Sequence, residues 1–213
     1  MKSLLLGIAV IIIVGFGGLV YRNAVEHPNR PIVCPIDALA CPDGTSVSRT
    51  GSSCTFPACP SPNVSLPEVG IAYAVPEGFI STTLPDAASV ASYWKAGPTP
   101  SEPSNIIIRQ YPIVASSTAL ATIEQTAIGG ASGIPVPTTA FSSTVLGAYR
   151  FTVVAIERFE GVVDTAYYLA RGTDVLRFDA IDRGVDWTNP NLDITLLPAN
   201  AALRKLLATL KGG

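Results

Sequence analysis

The sequence predicts an α+β fold, an antiparallel β-sheet sandwiched with helices, preceded by a transmembrane helix and a small disulfide-stapled module. Three observations predict it. They are an uninterrupted apolar run at Ser3–Val20, four cysteines between positions 34 and 59, and a C-terminal body whose β-forming runs follow one another directly, with a helical pattern near each end. Strand patterns that do not alternate with helical ones imply antiparallel pairing rather than a wound parallel sheet. The expected layout is an anchor at 1–22, a cysteine module at 31–60 and an α+β domain at 69–213.

The run Ser3–Val20 carries no charge over its 18 residues. At about 1.5 Å per residue it reaches about 27 Å, close to the hydrocarbon thickness of a bilayer. Tyr21 and Arg22 follow at the level where amphipathic side chains anchor to an interface. A cleavable signal has an apolar core of about 7–15 residues ending at a small-x-small site. Here Gly15-Phe16-Gly17, the small-x-small candidate, lies inside the run. The expectation is therefore an uncleaved signal anchor in the cell membrane, single-pass, with the body extracytoplasmic; a cleaved signal and a buried core helix are the alternatives. Lys2 opposes Arg22 and Arg30, so charge leaves the orientation to the cysteines.

Those cysteines are spaced Cys34-x6-Cys41-x12-Cys54-x4-Cys59. Structural zinc sites draw pairs of thiolates from C-x2-C knuckles, and neither x6 nor x4 supplies one. Val33, Ile36, Leu39, Val47 and Phe56 are too few to build a core, so two disulfides in an oxidising compartment are expected. Spacing alone leaves all three pairings open. Pro42-Asp43-Gly44 is a turn, Thr45–Thr50 a short strand and Gly51-Ser52-Ser53 a second turn.

In the body, Ile71–Val75 is a strand closed by the turn Pro76-Glu77-Gly78-Phe79, which returns an aromatic to the interior. Val90–Trp94 and Ile106–Tyr111 are further strands, and 98–103 is a loop. Ser116-Ser117-Thr118 offers helix-capping oxygens before Ala119–Ala127, whose apolar stripe is read as Leu120, Ile123 and Ala127, with Gly129-Gly130 as the stop. Tyr149, Phe151, Val153 and Ala155 alternate as one face of a strand. Val162–Arg171 and Val175–Ile181 flank a hairpin turn at Arg171–Asp174. Leu176, Phe178 and Ala180 face the core, while Arg177 and Asp179 face solvent. Pro198–Leu210 closes the chain as a helix whose stripe is Leu203, Leu206, Leu207 and Leu210.

Two resemblances follow. Cys41-Pro42-Asp43-Gly44, an extended segment, then Cys54, Phe56 and Cys59 resemble the short cysteine modules of uncharacterised membrane-anchored bacterial envelope proteins, and distantly the middle of a Kazal-type inhibitor domain. Analogy with the interleaved Kazal pairing implies Cys34–Cys54 and Cys41–Cys59. The entry Tyr73–Phe79, a central helix, consecutive hairpins and a Leu-rich terminal helix resemble the PsbP-like superfamily over Val69–Leu210. Its members act mainly as binding or assembly proteins, and none of the superfamily's functional residues maps onto this chain.

Function classes narrow from composition. Charged residues are 14% and the net charge is −2, without a Lys/Arg cluster, which argues against a nucleic-acid partner. His27 is the single histidine and sits in the linker, so histidine catalysis and multi-histidine metal sites are not expected. Asp179, Asp182, Asp186 and Asp193, with Asn189 and Asn191, are the strongest candidate for a calcium site, but their spacing departs from the Asp-x-Asp-x-Asp-Gly loop. They are read as a solvated strand end and polar loop. Glu157 and Glu160 are read as ordinary turn-flanking acids, and Lys95, Lys205 and Lys211 lie near no serine motif. Trp94, Trp187, Tyr93 and Tyr111 are candidates for a peptide- or glycan-lining groove. No catalytic, cofactor or metal residue is assigned. The expected function is a membrane-anchored extracytoplasmic binding or assembly protein, non-catalytic, with the membrane and a protein or envelope polymer as partners. A histidine-free envelope hydrolase and a protease-inhibitor-like protein acting through the cysteine module are the alternatives.

Overall fold

The computed structural model describes residues 12–22, 33–41, 46–97, 102–130 and 133–212. Contacts divide the chain into two compact units, residues 1–38 with 48–57 and residues 39–47 with 58–213.

In the first unit, residues 12–22 are helical (α1). Eleven residues at about 1.5 Å each reach about 16 Å, roughly half a bilayer core. Among the described residues no helix is long and apolar enough to cross a membrane. This corrects the expected single-pass anchor; residues 3–11 of the apolar run lie outside the described residues. A disulfide joins Cys34 to Cys54. Arg49 organises the segment beside it: its Nε meets Asp37 Oδ1 at 2.8 Å and its Nη1 donates to the Cys54 carbonyl at 3.0 Å. Its guanidinium also lies 4.2 Å from the Phe56 ring centroid. Residues 51–54 form a turn closed from Cys54 N to Gly51 O. The Pro42-Asp43-Gly44 turn lies outside the described residues.

A short ribbon pairs β1 (Ala38–Ala40) with β2 (Ser46–Ser48). In the second unit a disulfide joins Cys41 to Cys59. The unit is built on a seven-stranded antiparallel sheet. Its strands are β5 (Ile80–Ser81), β6 (Ser89–Lys95), β7 (Ser104–Pro112), β8 (Ser142–Leu146), β9 (Tyr149–Phe159), β10 (Val162–Ala170) and β11 (Asp174–Arg183), in the spatial order β5-β6-β7-β11-β10-β9-β8. A separate ribbon, β3 (Val64–Leu66) with β4 (Ile71–Tyr73), precedes it in sequence.

The class is mainly β, with 39% of the described residues in strands against 20% in helices, which corrects the α+β expectation. Among the described residues two α-helices pack on the sheet, α2 (Ala119–Thr126, 8 residues) and α3 (Pro198–Ala208, 11 residues). The ribbon does part of the covering that helices were expected to do. Val69, Ile71 and Tyr73 join Leu203, Leu206, Leu207 and Leu210 over the sheet residues Ile106, Ile108, Phe151, Tyr167, Leu176 and Phe178. The opposite face carries a smaller core of Ile123, Ala127, Val154, Ile156, Ala166, Tyr168 and Val175.

Three local expectations change. Thr118 caps α2, accepting from Ala121 N, but the helix buries Thr122 and Ile123 and leaves Leu120 54% exposed. Between Asp164 and Thr165 the register of β10 on β9 shifts, pairing Glu157 and then Ala155. Ile156 is the extra residue of this bulge; it turns into the α2-side core while Ala155 is exposed, which breaks the simple alternation. Finally, Arg177 and Asp179 do not face solvent, because α2 and an ion-pair network cover them; Asp179 is fully buried.

Candidate functional site

Beside α3 the second unit holds an open cleft of about 450 Å³. One wall is the chain leaving β4, from Ala74 through Glu77 to Phe79, and the other is α3. The sequence explains both. The Leu stripe of α3 is spent on the sheet, and the adjoining flank, Pro198, Ala201, Ala202, Lys205 and Thr209, keeps the helical spacing with small residues at its centre. The opposite wall turns at Gly78, whose φ is +81°. A Cβ there would lie 3.2 Å from Lys95 Cε, so glycine supplies both the left-handed turn and the lane along which the Lys95 stem runs. The Lys95 ammonium thereby sits 6.0 Å from the Phe79 ring centroid.

The walls are tied together at their base. Thr209 Oγ1 accepts from Ala74 N at 2.9 Å and donates to the Leu206 carbonyl at 2.8 Å. Ala72 and Lys211 exchange two backbone hydrogen bonds, at 3.0 and 2.8 Å. The cleft therefore has an apolar interior from Val75, Pro76, Phe79, Ala202 and Leu206, and Glu77, Lys95 and Lys205 as its charged side chains. Neither lysine makes an ion pair among the described residues. Such an arrangement can hold an apolar body and meet an anionic group. Of Lys95, Lys205 and Lys211, the first two line this cleft, with no serine among its lining residues, and the Thr209 hydroxyl is already engaged.

The arginines of the body behave differently. On the α2 face, Asp179 accepts from Arg177 Nε at 2.6 Å and from Arg109 Nη1. Arg109 also meets Asp86 at 2.8 Å, and Arg177 donates to the Thr126 carbonyl at the end of α2. Burial would disfavour the Arg177 charge, but Asp179 first, and then Tyr168 and Asp164, hold its pKa above the ordinary value. Asp164 stands 4.0 Å from Arg177, and its Oδ1 is buried without a hydrogen-bond partner. Burial pushes its carboxyl well above the ordinary range, Asp179 adds to this, and Arg177 and Arg109 oppose it. This network pairs Asp179 with two arginines inside a sheet face, and none of its residues lines the cleft beside α3.

The acidic residues read together from the sequence are separated by the fold. Asp179 lies in that network. Asp182 lies on the opposite face, where it accepts from Ala199 N at 2.7 Å, Asn200 N at 3.2 Å and Ser104 Oγ at 3.2 Å, capping α3 from a neighbouring strand. Burial raises its pKa, against those three hydrogen bonds. Asp186 accepts from Thr188, and Asp193 caps the short helical turn at 194–196. No group of acids able to hold a metal ion occurs among the described residues. Glu160 sits in the β9–β10 turn at φ +48°, and Glu157 stands opposite Asp164.

The aromatics also part company. Tyr93 is buried against Tyr73, with hydroxyls 2.7 Å apart, and Trp187 packs on Phe159 with ring centroids 5.6 Å apart. Trp94 is 37% exposed on the face opposite Tyr93. None of Tyr93, Trp94, Tyr111 and Trp187 lines the cleft beside α3. Sequence reasoning missed the cleft because it unites Phe79, Lys95 and Lys205, which no local pattern connects.

No family model matches this chain, and no curated protein matches it. Among solved structures, a crystal structure of a protein from Bacteroides thetaiotaomicron is similar at 10% identity with a TM-score of 0.44, over 72% of this chain and 48% of that one. The chain thus spans about half that protein's length.

Proposed function

We propose that this chain is an extracytoplasmic, non-catalytic binding or assembly protein whose ligand seats in the cleft between the Phe79 turn and α3. The observation that carries the reading is the pair of ammonium groups, Lys95 and Lys205, held without ion-pair partners among the described residues at an apolar cleft, while Arg109, Arg171 and Arg177 of the same body are ion-paired. Two disulfides support an oxidising compartment. The cleft volume falls within the range of about 300–1,000 Å³ common to small-molecule sites. The resemblance to PsbP-like proteins is consistent with a binding role but contributes no residue to the site.

Native mass spectrometry of the protein isolated from its own envelope tests the reading. The wild-type chain should carry a non-covalent adduct that Ala201→Phe, which fills the cleft from the α3 wall, removes without loss of the folded charge-state distribution. An adduct that survives this substitution would move the site elsewhere. Turnover of ester, peptide or glycan substrates by the purified chain would overturn the non-catalytic reading in favour of a hydrolase.

A further inference from the structure

Resting on that reading of the cleft, we infer that its ligand is an amphipathic monocarboxylate, a single carboxylate head on an extended apolar body. The charges at the cleft decide the head. Lys95 and Lys205 contribute two positive charges and Glu77 one negative charge, a local excess of one in a chain whose net charge is −2. One anionic charge neutralises that excess. A dianionic phosphate would overshoot it and be repelled by Glu77, while a cation would meet two ammonium groups.

The interior decides the body. Half-buried Val75, Pro76, Ala201 and Ala202 offer carbon surface and no side-chain donor above the buried Phe79 and Leu206, and the Thr209 hydroxyl already serves Ala74 and Leu206. A sugar or a peptide backbone placed there would surrender its hydrogen bonds to water without replacement, whereas an alkyl chain loses nothing polar. Lys95 reinforces the assignment. Its stem is laid against Gly78 and its ammonium held near the Phe79 ring, so the charge stands at the edge of the apolar surface. Lysine is a compact point charge on a flexible stem, suited to a single head group rather than to a planar bidentate one.

Titration calorimetry on the full, oxidised chain, with dodecanoate, dodecanol, dodecylamine and dodecyl phosphate kept below their aggregation limits, tests this. Dodecanoate should bind one to one and about tenfold more tightly than dodecanol, the difference that one charge-assisted contact makes. The amine should be the weakest of the four. Lys205→Ala and Lys95→Ala should each lower dodecanoate affinity about five- to tenfold and leave dodecanol unchanged. Ala201→Phe should abolish both while keeping the thermal transition; Lys205→Glu, at an exposed position, should repel dodecanoate and leave dodecanol binding unchanged, a readout without risk to the fold.

Equal binding of dodecanoate and dodecanol, indifference to both lysines, or preference for the phosphate would overturn the ligand class while leaving the cleft as the site. The absence of binding by any of the four would overturn the class as well. Dodecanoate binding that persists in a folded Ala201→Phe chain would overturn the cleft itself.

Discussion

Asp182 and Asp164 show how the same side chain takes opposite roles a few ångströms to either side of one sheet. Asp182 is buried but accepts from two helix amides and a serine hydroxyl, so removing it strands buried donors at the N-terminus of α3. Asp182→Ala should destabilise the body by about 1–3 kcal/mol, read from the urea midpoint at constant slope. A silent substitution would mean that the cap is not formed. Asp164 instead has an unpaired buried oxygen, and its carboxyl is held above its ordinary 3.8 by burial first and by Asp179 second. Below the unfolded-state value both states hold the proton. As pH rises through the higher folded-state value, the folded chain must release it into a buried site, and the associated stability is lost. The Asp164 contribution should therefore decline with rising pH above about 4, and Asp164→Asn should make the pH profile of stability less negative in slope than that of the wild type there. Equal slopes in the two chains would refute the assignment.

At the scale of the element, α3 carries the most weight, because it covers the larger core and forms one wall of the cleft. Leu206 is fully buried on its stripe. Leu206→Ala should cost about 2–5 kcal/mol, visible as a fall of roughly 5–20 °C in Tm. The β9–β10 hairpin offers a gain instead. Its two-residue turn places Glu160 at φ +48° and Gly161 at φ +77°, the left-handed pair for which Asn-Gly is favoured. Glu160→Asn should raise stability by about 0.5–1 kcal/mol, since asparagine tolerates that backbone better than glutamate. A fall in Tm on making this change would show that Glu160 has contacts that outweigh its backbone. The periodicity of these elements was legible. The leucines of α3 all lie where the pattern places them, whereas in α2 Ile123 and Ala127 are buried as the pattern places them but Thr122 takes the buried place expected of Leu120, because eight residues with alanine and threonine on several faces define no unique stripe.

For the molecule as a whole, the seven-stranded sheet, the β3–β4 ribbon and both of its packed helices lie between Asn63 and Gly212. Asn63 belongs with them, since its Oδ1 accepts from Val75 N at 2.9 Å. A chain of residues 61–213 retains all of this and none of the cysteines. About 150 residues bury roughly two-thirds of their unfolded surface without cross-links. That chain should unfold in one cooperative transition unaffected by reductant, measured by circular dichroism, whereas the full chain should lose its two bridges to the same reductant. A non-cooperative melt of the shorter chain would make the cysteine segment part of the folding unit.

The sequence by itself determined the strands β2, β4, β6, β7, β9, β10 and β11, the hairpin at Arg171–Asp174, the turn at Pro76–Phe79 and the leucine face of α3, but not β1, β3, β5 or β8. Each is written in a local repeat or a turn chemistry a few residues long. Tertiary structure alone decided the rest. The bulge that buries Ile156 depends on register between β9 and β10, and the burial of Arg177 and Asp179 depends on Arg109 arriving from another strand. Charged residues alternating along β11 carry the same pattern whether solvent or a second layer faces them, so their partners had to be seen. The mainly β class arises the same way, since the β3–β4 ribbon covers surface that pattern alone assigned to helices. The cleft is the extreme case: Phe79, Lys95 and Lys205 become one site only because antiparallel pairing and the docking of α3 bring together positions 126 residues apart in the chain.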